Sequence, residues 1–309
     1  MLGKNSRRQE SWKEEPVGRR SRLAACALAM LAGAAYGDAP DATDKWQYTL
    51  FDPVPSDQIR DMETDRPDVT NSPSTIDAGH LQIEIGAFDY VHDDDHYQGA
   101  NARIDTLDIG HFNFRLGVLN DLELEADMVA REFTWAHDNL TGRSTRAAGF
   151  GDLTLGAEFN VWGNDGGDEV WSTGLALQPE FKIPTAPASL GNRHPEQALG
   201  IPFQIKLPEE FGLGLQTVVS RERNSADTGY VAGWQNSMAI DHTLFDGPDV
   251  YLEYVGTLTS ERGQQSQQTL DIGFTWPITD NIMVDDAVNV GLNKATPTIE
   301  WLGGFSLRF

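Results

Sequence analysis

The last twelve residues, 298–309, alternate between apolar and polar positions as a β-strand with two different faces does. Ile299, Trp301, Phe305 and Leu307 share one parity, and the chain ends on Phe309 in the same set. A period of two residues directs one set of side chains to each face of a strand. The ends of soluble chains usually fray into water, so an apolar closing strand indicates a sheet with an apolar outer face.

This strand resembles the closing strand of bacterial outer-membrane β-barrels, which ends on Phe and carries apolar residues at alternate positions. The same alternation recurs from His80 onward in about twelve runs, an even number that single-chain bacterial barrels require. Leu122, Leu124 and Ala126, for example, alternate with acidic residues. We therefore predict an all-β fold: a transmembrane, antiparallel, up-and-down β-barrel of about twelve strands with an irregular N-terminal segment.

The connections between the runs alternate in length. Those after the first, third and fifth runs are long, at about residues 92–101, 134–148 and 184–199, and tight turns follow the even-numbered runs. Long loops on one side and short turns on the other are typical of a barrel with extracellular loops and periplasmic turns. The alternative fold, a secreted β-sandwich with Greek-key connections, would not segregate its loops so regularly.

The composition excludes other classes of protein. The chain has 23 Lys and Arg residues against 47 Asp and Glu, a formal net charge of −24, so it lacks the basic surface that nucleic-acid binding needs. No run reaches the roughly 18 apolar residues that a transmembrane helix needs. The single cysteine, Cys26, excludes an intramolecular disulfide. So polar a composition is compatible with a membrane barrel, because only alternate residues face lipid.

The sequence divides into three regions. Residues 1–37 predict a secretory signal peptide, because basic residues precede an apolar run that ends in small residues. Residues 38–79 lack periodicity and are rich in Asp, Pro, Ser and Thr, which predicts an irregular segment, either a periplasmic extension or a plug in the lumen. Residues 80–309 form the predicted barrel. One break of parity, near Gly110 and His111, predicts a bulge in the second strand.

The polar parity of the strands carries the functional prediction. Charged side chains that alternate with the lipid-facing set should point into the lumen. A mainly acidic wall favours cations or neutral solutes over anions, unless the charges pair across a closed interior that conducts nothing. The predicted lumen-lining residues are Glu84, Arg115, Glu123, Glu125, Asp127, Glu158, Glu180, Lys182, Glu253, Asp271 and Arg308.

Two other chemistries have weaker signals. His92, His96 and the three aspartates between them could bind a divalent cation, but their spacing matches no recognised pattern, and we predict no metal site and no cofactor. Ser237 with His242 or His111 would be the candidates for an outer-membrane lipid-modifying enzyme. No nucleophile elbow accompanies them, so we predict no catalytic residue and no enzyme.

Three motifs resemble the family named for the meta-pathway of phenol degradation, whose members are described as outer-membrane transporters. They are Asp-Arg-Pro-Asp-Val-Thr at 65–70, Gly-Phe-Gly-Asp-Leu-Thr-Leu-Gly-Ala at 149–157 and Phe-Lys-Ile-Pro-Thr at 181–185. The third motif departs from the family at Ala186, where Gly is frequent. The resemblance implies a bacterial outer-membrane barrel and the passage of small hydrophobic or aromatic compounds.

The sequence therefore predicts an outer-membrane channel for small hydrophobic or aromatic solutes. The alternatives are a non-conducting structural barrel and an outer-membrane lipid-modifying enzyme. The expected partners are outer-membrane lipid, a small hydrophobic solute and, through the strand that ends at Phe309, the barrel-assembly machinery; no nucleic acid is expected. The sharpest structural prediction is that this last strand pairs with the first, near residues 80–91.

Overall fold

The computed structural model describes residues 45–95, 101–165, 169–245 and 247–309. The predicted signal peptide, residues 1–37, lies outside the described residues and stays a prediction. The described part of the chain consists of β-strands, their connections and one short 3-10 helix, Lys45–Gln47. Within it, no helix has the length and apolar character needed to cross a membrane.

Thirteen strands run through the described residues, built from the alternating runs of the sequence. Aromatic and aliphatic side chains, which suit a pleated surface, fill their outer parity. The strands are β1 (Leu81–Asp95), β2 (Ala102–Leu119), β3 (Leu122–Asp138), β4 (Arg143–Gly149), β5 (Leu153–Trp162), β6 (Thr173–Ile183), β7 (Glu196–Lys206), β8 (Phe211–Arg223), β9 (Tyr230–Thr243), β10 (Asp249–Thr259), β11 (Gln267–Thr279), β12 (Ile282–Gly291) and β13 (Ile299–Arg308).

The strands pair antiparallel in chain order, and the last strand closes the sheet on the first. Gln82 of β1 lies opposite Arg308 of β13, and His92 lies opposite Ile299. The other edge of β13 pairs with β12, so the predicted closing pairing is confirmed. β5 pairs with the first part of β3 and β4 with the second part, so these two strands share one position. The thirteen strands thus form the predicted twelve-position barrel.

The barrel is apolar outside and polar inside, the reverse of a soluble fold. On β3, Leu124 is 49% exposed, whereas its neighbours Glu123 and Glu125 are buried. This alternation suits a wall with lipid on one side and a polar lumen on the other. Hydrocarbon offers no hydrogen bonds to the backbone, and a closed barrel satisfies its amides without leaving an edge.

The inward parity changes at Gly110 on β2, as the sequence predicts. His111 bonds to the inward-facing Asp127, whereas Ile109, two residues away, is exposed on the outside. Gly110 has a φ of 69°, which glycine adopts without steric cost. The register of β2 with β1 and β3 is the same on both sides of the break. The prediction of a bulge in β2 at this point is therefore wrong. A shift of register occurs on the neighbouring strand β1, between Gly86 and Phe88 in its pairing with β13.

The prediction of a long loop at 134–148 is wrong. β3 continues to Asp138 and β4 begins at Arg143, so residues 139–142 alone connect a projecting hairpin. Most of β4 is exposed, with polar residues on both faces. Outside the membrane a strand needs no lipid-facing side, so it lacks the apolar alternation by which the other strands were recognised.

Candidate solute path and the inner segment

The connections define two ends of the barrel. The turn end carries the tight turns, such as that between β2 and β3, and the loop end carries the longer ones, such as that between β6 and β7. Residues 45–79, called the inner segment here, contact the inside of the wall near the turn end. The amide of Gly79 donates to the carbonyl of Gly117 at 2.9 Å. A side chain at Gly117 would collide with the backbone of Asp77. The described part of this region thus lies against the wall, and its role as a plug stays a prediction.

Arg115 of β2 is the centre of the first anchor for the inner segment. Its buried guanidinium lies 2.6 Å from Glu123, 3.2 Å from Glu84 and 3.3 Å from Asp65 of the inner segment. It also donates to the carbonyl of Ser74 at 3.1 Å. A buried charge is costly unless it is paired and hydrogen-bonded. Arg115 therefore joins two wall carboxylates to the inner segment.

Arg60 of the inner segment is a second anchor, at the turn end. Its guanidinium lies 3.6 Å from Asp77 and 3.0 Å from Asp165, and it donates to the carbonyl of Thr75 at 2.8 Å. It also donates to the side chain of Asn120, in the turn between β2 and β3. This arginine fixes the fold of the inner segment and ties it to two turns.

Glu253 of β10 provides a third anchor, on another part of the wall. It is almost fully buried and accepts hydrogen bonds from the amide of Val69 at 2.8 Å and the hydroxyl of Thr70 at 2.6 Å. Ser237 of β9 shares a hydrogen bond of 2.6 Å with the same hydroxyl. The inner segment thus donates its hydrogen bonds to a wall carboxylate.

Arg66 and Asn71 bridge the lumen. Arg66 donates to Asp285 of β12 at 3.0 Å. The amide of Asn71 donates to Gln216 of β8 at 2.8 Å, and its side chain donates to Gln178 of β6 at 2.7 Å. β6 and β12 are about six positions apart in the strand order, which places them on opposite sides of a twelve-position barrel. The bridge therefore spans the interior.

Two cavities flank this bridge, and Arg66 and Asn71 line both of them. The upper cavity, of about 240 Å³, lies towards the loop end and is lined by His111 and Thr154 among others. The lower cavity, of about 870 Å³, lies at the turn end, where Lys206 is part of its lining. The bridge is thus the boundary between the two.

The eleven predicted lumen-lining residues all lie on the inner side of the wall, in different surroundings. Four of them line the upper cavity: Glu84, Glu125, Asp127 and Glu180. Eight are buried, and three are half-buried, namely Asp127, Glu180 and Lys182; the buried ones are Glu84, Arg115, Glu123, Glu125, Glu158, Glu253, Asp271 and Arg308. That these residues form the wall of a solute path stays a prediction.

The three basic residues of this set do not come together. Arg115 occupies the anchor described above. Lys182 lies near the loop end, 2.6 Å from Glu196 and 3.5 Å from Asp152. Arg308 lies at the turn end and donates to the carbonyls of Arg60 at 2.8 Å and Asp280 at 2.7 Å. Each is thus already engaged by neighbouring groups.

Sequence reasoning missed the uncharged residues that hold the inner segment. Gln178, Gln216 and Ser237 bond to it, and each shares the inward parity of its strand. Parity could therefore have identified them. It could not have identified Asp65 or Arg66, because the inner segment has no periodicity from which to read orientation.

Of the weaker chemistries of the sequence, the pair of Ser237 with His242 does not assemble. Ser237 is buried and bonds to Thr70, whereas His242, five residues along β9, stacks on the ring of Phe211. An odd separation places the two on opposite faces of the strand. His92 bonds to Asp105 at 2.8 Å, and His96 lies outside the described residues.

The comparisons with known proteins identify the family. Residues 64–309 match the model of the family described as "Putative MetA-pathway of phenol degradation". The chain belongs to this family. No curated protein matches its sequence.

Solved structures match the fold. An outer-membrane channel of Pseudomonas putida F1 is similar at 13% identity, with a TM-score of 0.60 over 80% of this chain and 100% of that one. The transport unit of the autotransporter AIDA-I of Escherichia coli is similar at 10% identity, with a TM-score of 0.50 over 80% of this chain and 92% of that one. These likenesses show the fold, a closed antiparallel β-barrel.

Proposed function

We propose that this protein is an outer-membrane channel for small solutes, with hydrophobic or aromatic compounds among them. The observation that carries the proposal is the bridge of Arg66 and Asn71, which has a cavity on each side of it inside one closed barrel. A solid interior would support the non-conducting alternative. Here the two cavities are separated by a bridge that is held to the wall by hydrogen bonds of Arg66 and Asn71, and such bonds can rearrange without breaking the wall.

The charge of the wall supports selection against anions. Eight of the eleven predicted lumen residues are acidic and three are basic. The basic three are already engaged: Arg115 by carboxylates, Lys182 by Glu196 and Arg308 by backbone carbonyls. Rings of acidic side chains favour cations in channels. We therefore expect cations and neutral molecules to pass in preference to anions.

The lining of the lower cavity supports an aromatic solute. Met62, Tyr251 and Met283 contribute apolar surface there, beside polar groups of the inner segment. Binding sites for small organic molecules combine apolar walls with a few polar groups, and methionine sulfur contacts aromatic rings favourably. The family's name refers to phenol degradation, and the similar protein of Pseudomonas putida is itself called an outer-membrane channel.

Planar-bilayer recording tests conduction through the bridge. The refolded wild-type protein is expected to give small, cation-selective single-channel steps in KCl gradients. Arg66→Ala removes the bond to Asp285 and should raise the conductance several-fold. Arg143→Ala, on the exposed hairpin, is the matched control and should leave the conductance unchanged. Absence of steps in both the wild type and Arg66→Ala would establish the non-conducting barrel instead.

Two aromatic ions of opposite charge test the solute class. Neither benzyltrimethylammonium nor benzenesulfonate crosses lipid readily, so uptake into liposomes that contain the protein reports passage through the barrel. The cation should enter faster, and Arg66→Ala should accelerate its entry. Equal entry of both ions, or faster entry of the anion, would contradict the selectivity that the acidic wall supports.

We further propose that the barrel-assembly machinery recognises the closing strand through Phe309. This side chain is 66% exposed, while the backbone of Phe309 bonds to Leu81. Phe309→Ala should therefore preserve closure and lower the amount of barrel assembled in cells. Leu292→Ala, at an exposed apolar residue near the loop end, should not. Equal assembly of both variants would contradict this role.

A further inference from the structure

Three acidic side chains of the wall lie side by side near the first anchor. Glu123 of β3 lies directly opposite Glu158 of β5, and Glu125 follows on the same inward face. Carboxylate oxygens of the three lie within 4.8 Å of one another. Like charges that face each other across neighbouring strands repel. The cluster therefore needs positive charge to be stable in its ionised form.

Arg115 does not supply enough positive charge. Its guanidinium is shared among Glu123, Glu84 and Asp65. The cluster together with Glu84 and Asp65 makes five carboxylates around one arginine, which leaves a formal excess of about four negative charges if all are ionised. So concentrated a charge in a buried place requires further compensation.

Glu158 indicates independently where a ligand belongs. Its side chain is fully buried, and neither carboxylate oxygen accepts a hydrogen bond from the described residues. Buried carboxylates are normally hydrogen-bonded, paired with a cation or bound to a metal. Because an oxygen of Glu158 lies within 4.8 Å of those of Glu123 and Glu125, the missing partner belongs between the three.

We propose that Glu123, Glu125 and Glu158 bind a divalent cation, and that Ca²⁺ suits the site best. Carboxylate oxygens are ligands for hard cations. Ca²⁺ binds oxygen at about 2.3–2.6 Å, so two ligands of one ion can lie up to about 5 Å apart. The spacing of the three oxygens fits this limit. Glycine at position 156, opposite Glu125, leaves room for the Glu125 carboxylate, because a Cβ there would lie 3.0 Å from its Oε2.

The site has an entry path and a structural consequence. Glu125 lines the upper cavity, from which a hydrated ion reaches the cluster. Glu123 also accepts the amide of Ile76 at 2.5 Å. A cation bound here therefore neutralises the wall at the point where it holds the inner segment, and it stabilises that attachment. The site does not depend on whether the barrel conducts.

Metal binding to the refolded full-length protein tests the proposal. After EDTA treatment and dialysis against Ca²⁺, metal analysis should find one Ca²⁺ per wild-type chain. Glu158→Gln keeps the shape of the side chain but should weaken Ca²⁺ binding at least about tenfold. Glu132→Gln, at a half-buried residue of the same strand β3 outside the cluster, is the control and should bind as the wild type does.

Urea unfolding provides a second readout, the order of stability of the wild type and Glu158→Gln with and without Ca²⁺. With EDTA, Glu158→Gln should unfold at a higher urea concentration than the wild type, because it removes a repulsion. Ca²⁺ should raise the midpoint of the wild type more than that of Glu158→Gln, because the variant binds the ion more weakly. A wild type that binds no Ca²⁺ at millimolar concentration, or a Glu158→Gln variant that binds it equally well, would overturn the site.

Discussion

The inward wall of the barrel has two regions that differ in how their carboxylates are satisfied. Where the inner segment touches the wall, the carboxylates accept its hydrogen bonds. Where it does not, some carboxylate oxygens have no hydrogen-bond donor among the described residues. Two pairs of acids that lie directly opposite each other on neighbouring strands show the contrast: Glu123 with Glu158, and Glu253 with Asp271.

In each pair one acid accepts a hydrogen bond from the inner segment and its neighbour does not; Asp271 has one bond, from the hydroxyl of Thr269 at 2.9 Å. Glu123 bonds to Arg115 and to the amide of Ile76, and Glu253 bonds to the inner segment. By contrast, Oδ1 of Asp271 and both oxygens of Glu158 have no hydrogen-bond donor among the described residues. The acids of the wall therefore differ in energy although they share parity and charge. The inner segment stabilises some of them and leaves the others dependent on protons or cations.

The largest expected effect comes from replacing Arg115, the arginine that pairs with carboxylates where the inner segment contacts the wall. Arg115→Gln would leave Glu123, Glu84 and Asp65 buried without their shared arginine. Breaking a buried pair in this way costs about 3–5 kcal/mol. The measurement is the free energy of unfolding of the refolded barrel in urea at neutral pH.

The control for this change is Arg143→Gln on the exposed hairpin, which should stay within about 0.5 kcal/mol of the wild type. Similar losses for the two arginines would show that the Arg115 anchor contributes no more than a surface charge. The ion pairs of Arg115 would then not be what holds the inner segment to this part of the wall.

The same chemical change at the two members of the other pair should have opposite consequences. Glu253→Gln weakens the acceptor of Val69 and Thr70 and should cost about 1–3 kcal/mol. It should also expose the inner segment to protease. Asp271→Asn removes a charge that faces Glu253, and it should be neutral or stabilising.

The double variant sharpens this test. If the two acids repel each other, Asp271→Asn should stabilise the wild type more than it stabilises Glu253→Gln, since the repelling partner is then already neutral. Equal destabilisation by the two single substitutions would mean that contact with the inner segment does not distinguish the two regions of the wall.

Much of the wall could be predicted from the sequence, because a lipid-facing side imposes a period of two. Leu124 and Glu123 alternate for that reason, and the antiparallel pairing of the last strand with the first follows from the even number of strands. The prediction failed where this constraint ends. The hairpin of β3 and β4 leaves the membrane, and its polar residues carry no such period.

The distinction between engaged and unengaged acids could not be predicted. Thr70 and Glu253 are 183 residues apart in the chain, and nothing periodic in residues 45–79 indicates which wall residue each side chain meets. Glu123 and Glu158 look alike in sequence, since both are inward acids between outward apolar residues. Only the path of the inner segment makes one a hydrogen-bonded anchor and the other an acid without a donor.

The smallest expected effect lies outside the membrane, where an acid is also held by a distant part of the chain. Glu261, between β10 and β11, accepts hydrogen bonds from the hydroxyl of Ser225 at 2.7 Å and from its amide at 3.0 Å. These bonds hold the pKa of Glu261 below its ordinary value. A carboxylate with a lowered pKa stabilises the fold above its unfolded pKa, and this contribution is lost as the pH falls through the folded pKa.

Ser225→Ala removes the hydroxyl and keeps the amide, so the pKa of Glu261 should rise part of the way towards its ordinary value. The contact between the two loops should then be lost at a higher pH than in the wild type. Carboxyl ¹³C chemical shifts of Glu261, followed by NMR during acid titration, measure this change. The control is Ser266→Ala. Ser266 lies in the same loop as Glu261 but bonds to Gln268, so its substitution should leave the pKa of Glu261 unchanged. An unchanged midpoint in Ser225→Ala would mean that the backbone amide alone holds this carboxylate, and that exposed loops do not reproduce the side-chain anchoring seen on the wall.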